Sequence, residues 1–162
     1  MTTDEKILTL DALRSRLADA RAHGRRIVLA NGCFDLLHVG HARYLAAARA
    51  EGDLLIVAIN SDASARGLKG AGRPVLNERG RAELVAALAV VDFVIVFDEP
   101  NVEALLTALR PGVHAKGTDY TADTVPERET AARLGVRVAI VGDPKRHSTR
   151  DLFAAVRQNS DG

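Results

Sequence analysis

The 162-residue chain has one cysteine, Cys33, so no internal disulfide can form and a small secreted domain framed by disulfides is excluded. It also lacks a charge surplus. Its 22 Lys and Arg stand against 21 Asp and Glu, leaving +1 with histidine neutral. A protein that wraps duplex nucleic acid carries a large positive excess, so no nucleic-acid partner is expected, although a local basic site for a small polyanion remains open. No stretch approaches the ~18 apolar residues of a membrane span, and no membrane partner is expected. The opening Met1-Thr2-Thr3-Asp4-Glu5-Lys6 lacks the basic start and apolar run of a signal peptide. A cytoplasmic protein is the expectation. What the chain does have is the balance of a globular protein, with 47% hydrophobic and 27% charged residues. Residues 1–162 are expected to form a single domain that buries roughly 70% of its unfolded surface without a metal or disulfide staple.

Hydrophobic patterning alternates between two periods. Leu10, Leu13 and Leu17 fall on one face of an amphipathic helix predicted over 8–22, within an N-terminal segment 1–24 closed by Gly24. Short apolar runs at 27–30, 54–59, 93–97, 113–116 and 136–141 read as buried strands. Between and after them, helices are predicted over 39–50, from an N-cap at Asn77 through Leu84, Val85 and Leu88, and over 102–109, 126–134 and 148–157. Asn31-Gly32 reads as a turn, and Gly67, Gly70, Gly72 and Pro74 as a mobile basic loop. Strand and helix alternating five times predict an α/β, Rossmann-like parallel sheet of about five strands with helices on both faces. Such sheets bind ligands beyond the carboxyl ends of their strands, where the strand order reverses.

The chemistry-bearing residues follow strands. After the first comes Asn31-Gly32-Cys33-Phe34-Asp35-Leu36-Leu37-His38-Val39-Gly40-His41. Two imidazoles three apart at a helix start share a face, and Gly40 between them lets an anion approach the backbone. The free N–H groups and positive dipole end there favour a phosphate, and two His donors could stabilise charge growing on a phosphoryl oxygen. In a chain with 5 His and 13 Gly, H-x-G-H arises by chance only about 0.01 times. Neither G-x-x-x-x-G-K-[ST] nor a G-x-G-x-x-G after the first strand is present, so neither a P-loop nor a dinucleotide fingerprint explains the site. Cys33, His38 and His41 are also conceivable zinc ligands, but structural zinc wants a fourth ligand and catalytic zinc a supporting shell. No metal-ligating residue is assigned, and Cys33 reads as a packing residue.

Three further segments carry charge or hydroxyls. Arg66 to Pro74, followed by Arg79 and Arg81, suits a flap closing over phosphates, with Arg66 and Arg79 read as solvated. After the fourth strand come Lys116, Gly117, Thr118, Asp119 and Tyr120, where Lys116 could neutralise phosphate and Asp119 orient a ribose or a cation; a plain structural turn reads nearly as well. Lys145-Arg146-His147-Ser148-Thr149-Arg150-Asp151 holds an S-x-x-D capping box that also describes a polyphosphate cradle.

Together these segments resemble the cytidylyltransferase-like nucleotidyltransferase family, and within it the branch acting on heptose 1-phosphate. H-x-G-H carries the family likeness. The branch rests on Asn60-Ser61-Asp62-Ala63-Ser64, Leu68-Lys69-Gly70 with Gly72-Arg73-Pro74, Val91-Asp92 and Lys116-Gly117-x-Asp119-Tyr120. The resemblance implies attack by a sugar 1-phosphate oxygen on the α-phosphorus of a nucleoside triphosphate, ATP being expected, with pyrophosphate leaving. It implies catalytic roles for His38, His41 and Lys69. Asn31, Gly32, Cys33, Phe34, Asp35, Gly40, Lys116, Gly117, Asp119, Ser148 and Thr149 would hold the nucleotide, and Lys69, Arg73 and Arg81 the substrate phosphates. Mg²⁺ would come with the triphosphate, without a dedicated protein cage. Two positions depart from the pattern: Arg150 replaces a second Thr, and Thr118 stands where Gly is usual. A homodimer is compatible with the resemblance, and a separate sugar kinase is expected to supply the sugar 1-phosphate. The alternatives are an alcohol-phosphate cytidylyltransferase using CTP and glycerol 3-phosphate, and, from a different class, a non-catalytic nucleotide-binding regulator.

Overall fold

The computed structural model describes residues 1–144 and 148–160. In chain order the elements are α1 (Thr3–Lys6), α2 (Leu10–Ala22), β1 (Ile27–Gly32), α3 (Val39–Ala50), β2 (Leu54–Asn60), α4 (Asp62–Lys69) and α5 (Glu78–Ala86). They continue with β3 (Phe93–Phe97), α6 (Glu103–Leu109), β4 (Val113–Lys116), α7 (Arg128–Leu134), β5 (Arg137–Ile140) and α8 (Thr149–Ser160). The five strands form one sheet in the order β3-β2-β1-β4-β5, and every neighbouring pair is parallel. This is the Rossmann-like α/β architecture expected from the alternation. No helix among the described residues is long and apolar enough to cross a membrane.

The period-two side-chain alternation splits the core into two layers. Ile27 and Leu29 of β1, with Ile56 and Ala58 of β2, pack beneath α2 and α6 through Leu13, Leu17, Leu106 and Leu109. Val28 and Ala30, with Leu55 and Val57, face α3 and α5 through Leu45, Ala48, Ala82 and Val85. All seven residues of β2 are buried, as a strand covered on both faces requires. Helix starts follow from side-chain oxygens: Thr9, Ser61 and Asn77 each accept a backbone N–H from the first turn of the helix that follows. Gly52, after α3, is required by space, because a Cβ there would lie 2.6 Å from Val28 Cγ2 and 2.7 Å from the Arg26 carbonyl.

Three expectations are corrected. Asn31 and Gly32 belong to β1 rather than to a turn, held by the ladder to Ala58 and Ile59 of β2. Gly67 lies inside α4, not in the basic loop. Ser61 caps that helix, and buried Ser64 and Ala65 outweigh the cost of one glycine near its end. Leu84 is 45% exposed and Leu88 falls beyond α5, which instead buries Arg81, Ala82, Val85 and Ala86.

Candidate active site

The strand order reverses between β1 and β4, where one connection runs toward β2 and the other toward β5. A cleft of about 1840 Å³ opens at the carboxyl ends of these strands. A pocket for one drug-sized ligand holds roughly 300–1,000 Å³, so this cleft has room for two. Its walls bring together Asn31, Gly32, Cys33, Phe34, His38, Gly40, His41, Lys69, Arg73, Lys116, Gly117, Asp119, Ser148 and Thr149. Of the residues singled out from sequence, Asp35 and Arg81 do not line it.

The two histidines are set by the start of α3. His38 is the N-cap, and its Nδ1 accepts the Gly40 N–H at 3.1 Å. The His38 N–H in turn donates to His41 Nδ1 at 3.3 Å. A neutral imidazole that accepts at Nδ1 carries its proton at Nε2, so both rings are fixed as Nε2–H donors. Their planes stack with centroids 3.9 Å apart, and Phe34 packs 5.3 Å from His41. Phe34 and Leu36 hold positive φ angles of 50° and 52°, a strained turn for bulky side chains of the kind found at functional sites. Below, the Tyr44 hydroxyl donates to the Ala115 carbonyl at 2.7 Å and ties α3 to β4.

Asp35 and Arg81 take roles other than the expected ones. Asp35 is 3% exposed, and its carboxylate accepts from Arg73 Nε and the backbone N–H groups of Val75 and Leu76. Burial opposes its ionisation, but the Val75 and Leu76 N–H groups and the Arg73 guanidinium outweigh it and hold the carboxyl below its ordinary value. Asp35 thus anchors the flap; its acceptor oxygens are already engaged. Arg81 has no exposed surface and donates to the carbonyls of Leu76, Cys33 and Asn60 and to Asp62 Oδ1. Those bonds take four of the guanidinium's five N–H donors, and with no exposed surface Arg81 joins the flap to β2 and the turn after β1 instead of reaching a substrate phosphate. Lys69, at the exposed end of α4, and Arg73 are the flap cations in the cleft.

The floor between β1 and β4 is a buried polar cluster. His114 Nε2 lies 3.1 Å and Lys116 Nζ 3.4 Å from the same oxygen, Asn31 Oδ1. Burial, with a smaller push from Lys116, lowers His114 to about 3, so the ring is neutral and donates through Nε2. Burial also pulls the Lys116 ammonium down, offset in part by Glu127 and Asp119, and its Nζ sits 4.5 Å over the Tyr120 ring. Cys33 is pushed up, mainly by burial, so it is a thiol at neutral pH and no activated nucleophile. Cys33, His38 and His41 form no group that could hold a metal ion; none of three or more such side chains occurs among the described residues.

The last wall is the start of α8. Ser148 accepts the Asp151 N–H at 3.1 Å and donates to Asp151 Oδ2 at 2.8 Å, the capping arrangement read from S-x-x-D. Thr149 donates to the Asp35 carbonyl at 3.0 Å, and Arg73 stacks 4.9 Å from the Phe153 ring. Asp35 therefore holds both the flap and α8. Lys145, Arg146 and His147 lie outside the described residues. Thr118, a departure from the family pattern, donates to the Asp143 carbonyl at 2.8 Å and joins the loops after β4 and β5; Arg150 is exposed on the cleft wall.

Sequence reasoning passed over Pro100, Asn101 and Glu127, which also line the cleft. Pro100 and Asn101 follow β3, and the rule that sites follow strands could have found them. Glu127 carried no such signal, since Pro126-Glu127 reads as a helix start.

Comparison with known proteins places these residues in context. The family described as cytidylyltransferase-like matches residues 29–157, which contain every residue of the cleft wall. The chain is 47% identical over 158 residues to the bifunctional protein HldE of Geotalea uraniireducens (strain Rf4), covering 98% of this chain and 32% of that protein. It is 48% identical over 155 residues to the bifunctional protein HldE of Rhodopseudomonas palustris (strain BisA53), covering 95% and 32%. The chain thus spans about a third of the length of these curated relatives. Among solved structures, a lipopolysaccharide core biosynthesis protein from Thermoplasma volcanium GSS1 superposes with a TM-score of 0.65 at 28% identity, over 75% of this chain and 100% of that one.

Proposed function

The chain belongs to the cytidylyltransferase-like family of nucleotidyltransferases, and from that premise we propose that it joins a sugar 1-phosphate to the nucleoside monophosphate portion of a triphosphate, with heptose 1-phosphate and ATP as the pair. An oxygen of the sugar phosphate attacks the α-phosphorus. The α–β phosphoanhydride bond breaks, its electrons leave on pyrophosphate, and a new phosphoanhydride links sugar phosphate to nucleotide. Such a reaction asks the protein for positioning and charge stabilisation.

The observation that carries the reading is the histidine pair held at the strand-order reversal with both Nδ1 atoms engaged by backbone N–H groups. That tautomer presents Nε2–H donors suited to negative charge accumulating on α-phosphate oxygens. Lys69 and Arg73 would neutralise the phosphate chain, with the α8 start around Ser148 and Thr149 at its far end; both hydroxyl protons are held in protein bonds, so they would have to turn to donate. Asn31, Lys116, Gly117 and Asp119 would surround the nucleoside. Mg²⁺ fits as a passenger of the triphosphate: the residues facing the phosphates are imidazoles and cations, so phosphate oxygens would supply its ligands. The heptose reading is supported by the S-D-A-S and K-G-x-x-R-P segments and by the likeness to bifunctional HldE proteins.

The test is a matrix of nucleoside triphosphates against phosphate acceptors, read by pyrophosphate release and product mass. ATP with heptose 1-phosphate should turn over best. Turnover with CTP and glycerol 3-phosphate alone would replace the heptose reading, and binding without pyrophosphate release from any pair would make the chain a nucleotide-binding regulator.

A further inference from the structure

Glu127 is a buried ionisable group that the proposed reaction does not use. It is 2% exposed. It stands at the N-cap position of α7, yet its side chain makes no cap hydrogen bond. Oε1 accepts the Val102 N–H at a long 3.4 Å, and Oε2 has no hydrogen-bond partner. Buried carboxylate oxygens are nearly always hydrogen-bonded, so an orphan on a cleft wall points to a ligand donor.

Its surroundings say which part of a ligand belongs there. Asn101 precedes Val102, whose N–H Glu127 accepts, and the charges of Glu127 and Asp119 both act on Lys116 and Tyr120; all of these residues except Val102 line the cleft. Asn31 Oδ1, the neighbouring acceptor, already faces two donors, His114 Nε2 and Lys116 Nζ. The Glu127 oxygen is therefore available where the Asn31 oxygen is occupied. Elsewhere the cleft presents His38, His41, Lys69, Arg73, Arg150 and Arg157, with Asp143 and Asp151 among them. The cation beside Glu127, Lys116, already faces Asn31 Oδ1 and the Tyr120 ring. A carboxylate repels phosphate, so phosphates sort toward the cations and the uncharged part of a substrate sorts toward Glu127.

We propose that Glu127 is a specificity-determining residue, its Oε2 accepting a hydrogen bond from a hydroxyl or amino group on the non-phosphate part of a substrate. The inference rests on the nucleotidyltransferase reading. Both the nucleoside and the sugar of the second substrate carry such donors, and a site built around a buried acceptor discriminates strongly against analogues that lack the matching donor.

The experiment uses the full chain and its Glu127→Gln and Glu127→Ala variants. It measures KM for the triphosphate and for the sugar 1-phosphate separately, together with melting temperature. Glu127→Gln keeps an acceptor toward Val102 and the side chain's size, so its fold should be retained. The expected result is a rise on the order of 10- to 100-fold in one KM and not the other. A nucleoside donor raises the triphosphate KM, and a sugar donor raises the acceptor KM. The deoxy analogue that removes the matching hydroxyl should weaken wild type but add little further loss in Glu127→Gln. Unchanged KM values in both variants, or equal rises in both KM values tracking a fall in melting temperature, would overturn the proposal in favour of a purely structural carboxylate. Absence of pyrophosphate release by wild type from every pair would overturn the function reading instead.

Discussion

Each cleft histidine accepts a backbone N–H at Nδ1, and that acceptance is what leaves Nε2–H as the donor. Replacing His41 by Ala removes one such donor and loosens the His38 backbone. Loss of one preorganised donor to a developing oxyanion costs on the order of 10²–10³ in kcat; single-turnover kinetics should show that loss with nucleotide binding largely retained. A decrease below about threefold would move the chemistry away from this pair. Arg81 behaves differently. Arg81→Met would strand the carbonyls of Leu76, Cys33 and Asn60 and the partner Asp62, and the expected cost is about 3–5 kcal/mol in denaturant unfolding. Full stability with lost activity would restore Arg81 to the phosphates. The histidine pair was legible in the sequence because spacing at a helix start fixes a shared face. The fates of Arg81 and Asp35 were not, because residue type does not reveal which buried carbonyls and amides the fold will bring to it.

At the scale of elements, strands of short apolar runs between turn residues were legible to the residue for β3 and β4. The β1 end and α4 were not, since sheet pairing held Asn31 and Gly32 in the strand, and a cap plus two buried small residues held Gly67 in a helix. The place of Glu127 beside Asn101 was illegible because it depends on the loop after β3 meeting the start of α7. Helix α8 buries no residue and is tied to the flap by the Arg73–Phe153 stack and to the turn after β1 by the Thr149–Asp35 hydrogen bond. Arg73 and Phe153 are both partly buried, so their contact contributes on the order of 1 kcal/mol, and Phe153→Ala should raise the triphosphate KM roughly fivefold. Limited proteolysis should show faster cleavage in α8, while the melting temperature stays near that of wild type because the core is untouched. An unchanged KM with an unchanged digestion pattern would show that this stack does not hold the cleft.

For the whole molecule, a net charge of +1 conceals a cleft lined by both signs, with Lys69, Arg73, Arg150 and Arg157 on the flap and α8 and Glu127 at the start of α7. Charge burial also shapes how the fold responds to acid, through two groups acting in separate windows. His114 titrates at about 3 in the folded protein against an ordinary 6.5. Between those values the unfolded chain binds a proton that the folded one refuses, so stability falls as pH drops, by up to about 1.4 kcal/mol per unit. Above pH 6.5 the group contributes no slope. Asp35 is lowered from 3.8, so its stabilisation is complete at neutral pH and disappears only below about pH 4, as the medium passes through the folded value. Denaturant midpoints measured from pH 7 to pH 3 should therefore decline first through His114 and later through Asp35. A His114→Gln variant, whose amide can still donate to Asn31, should lose the slope between pH 6.5 and 4. Asp35→Asn should keep that slope and sit below wild type at neutral pH, with the gap closing only at the acid end. If His114→Gln kept the full slope, the acid response would have to come from other groups, and the neutral donor assigned to His114 beneath the cleft would lose its support.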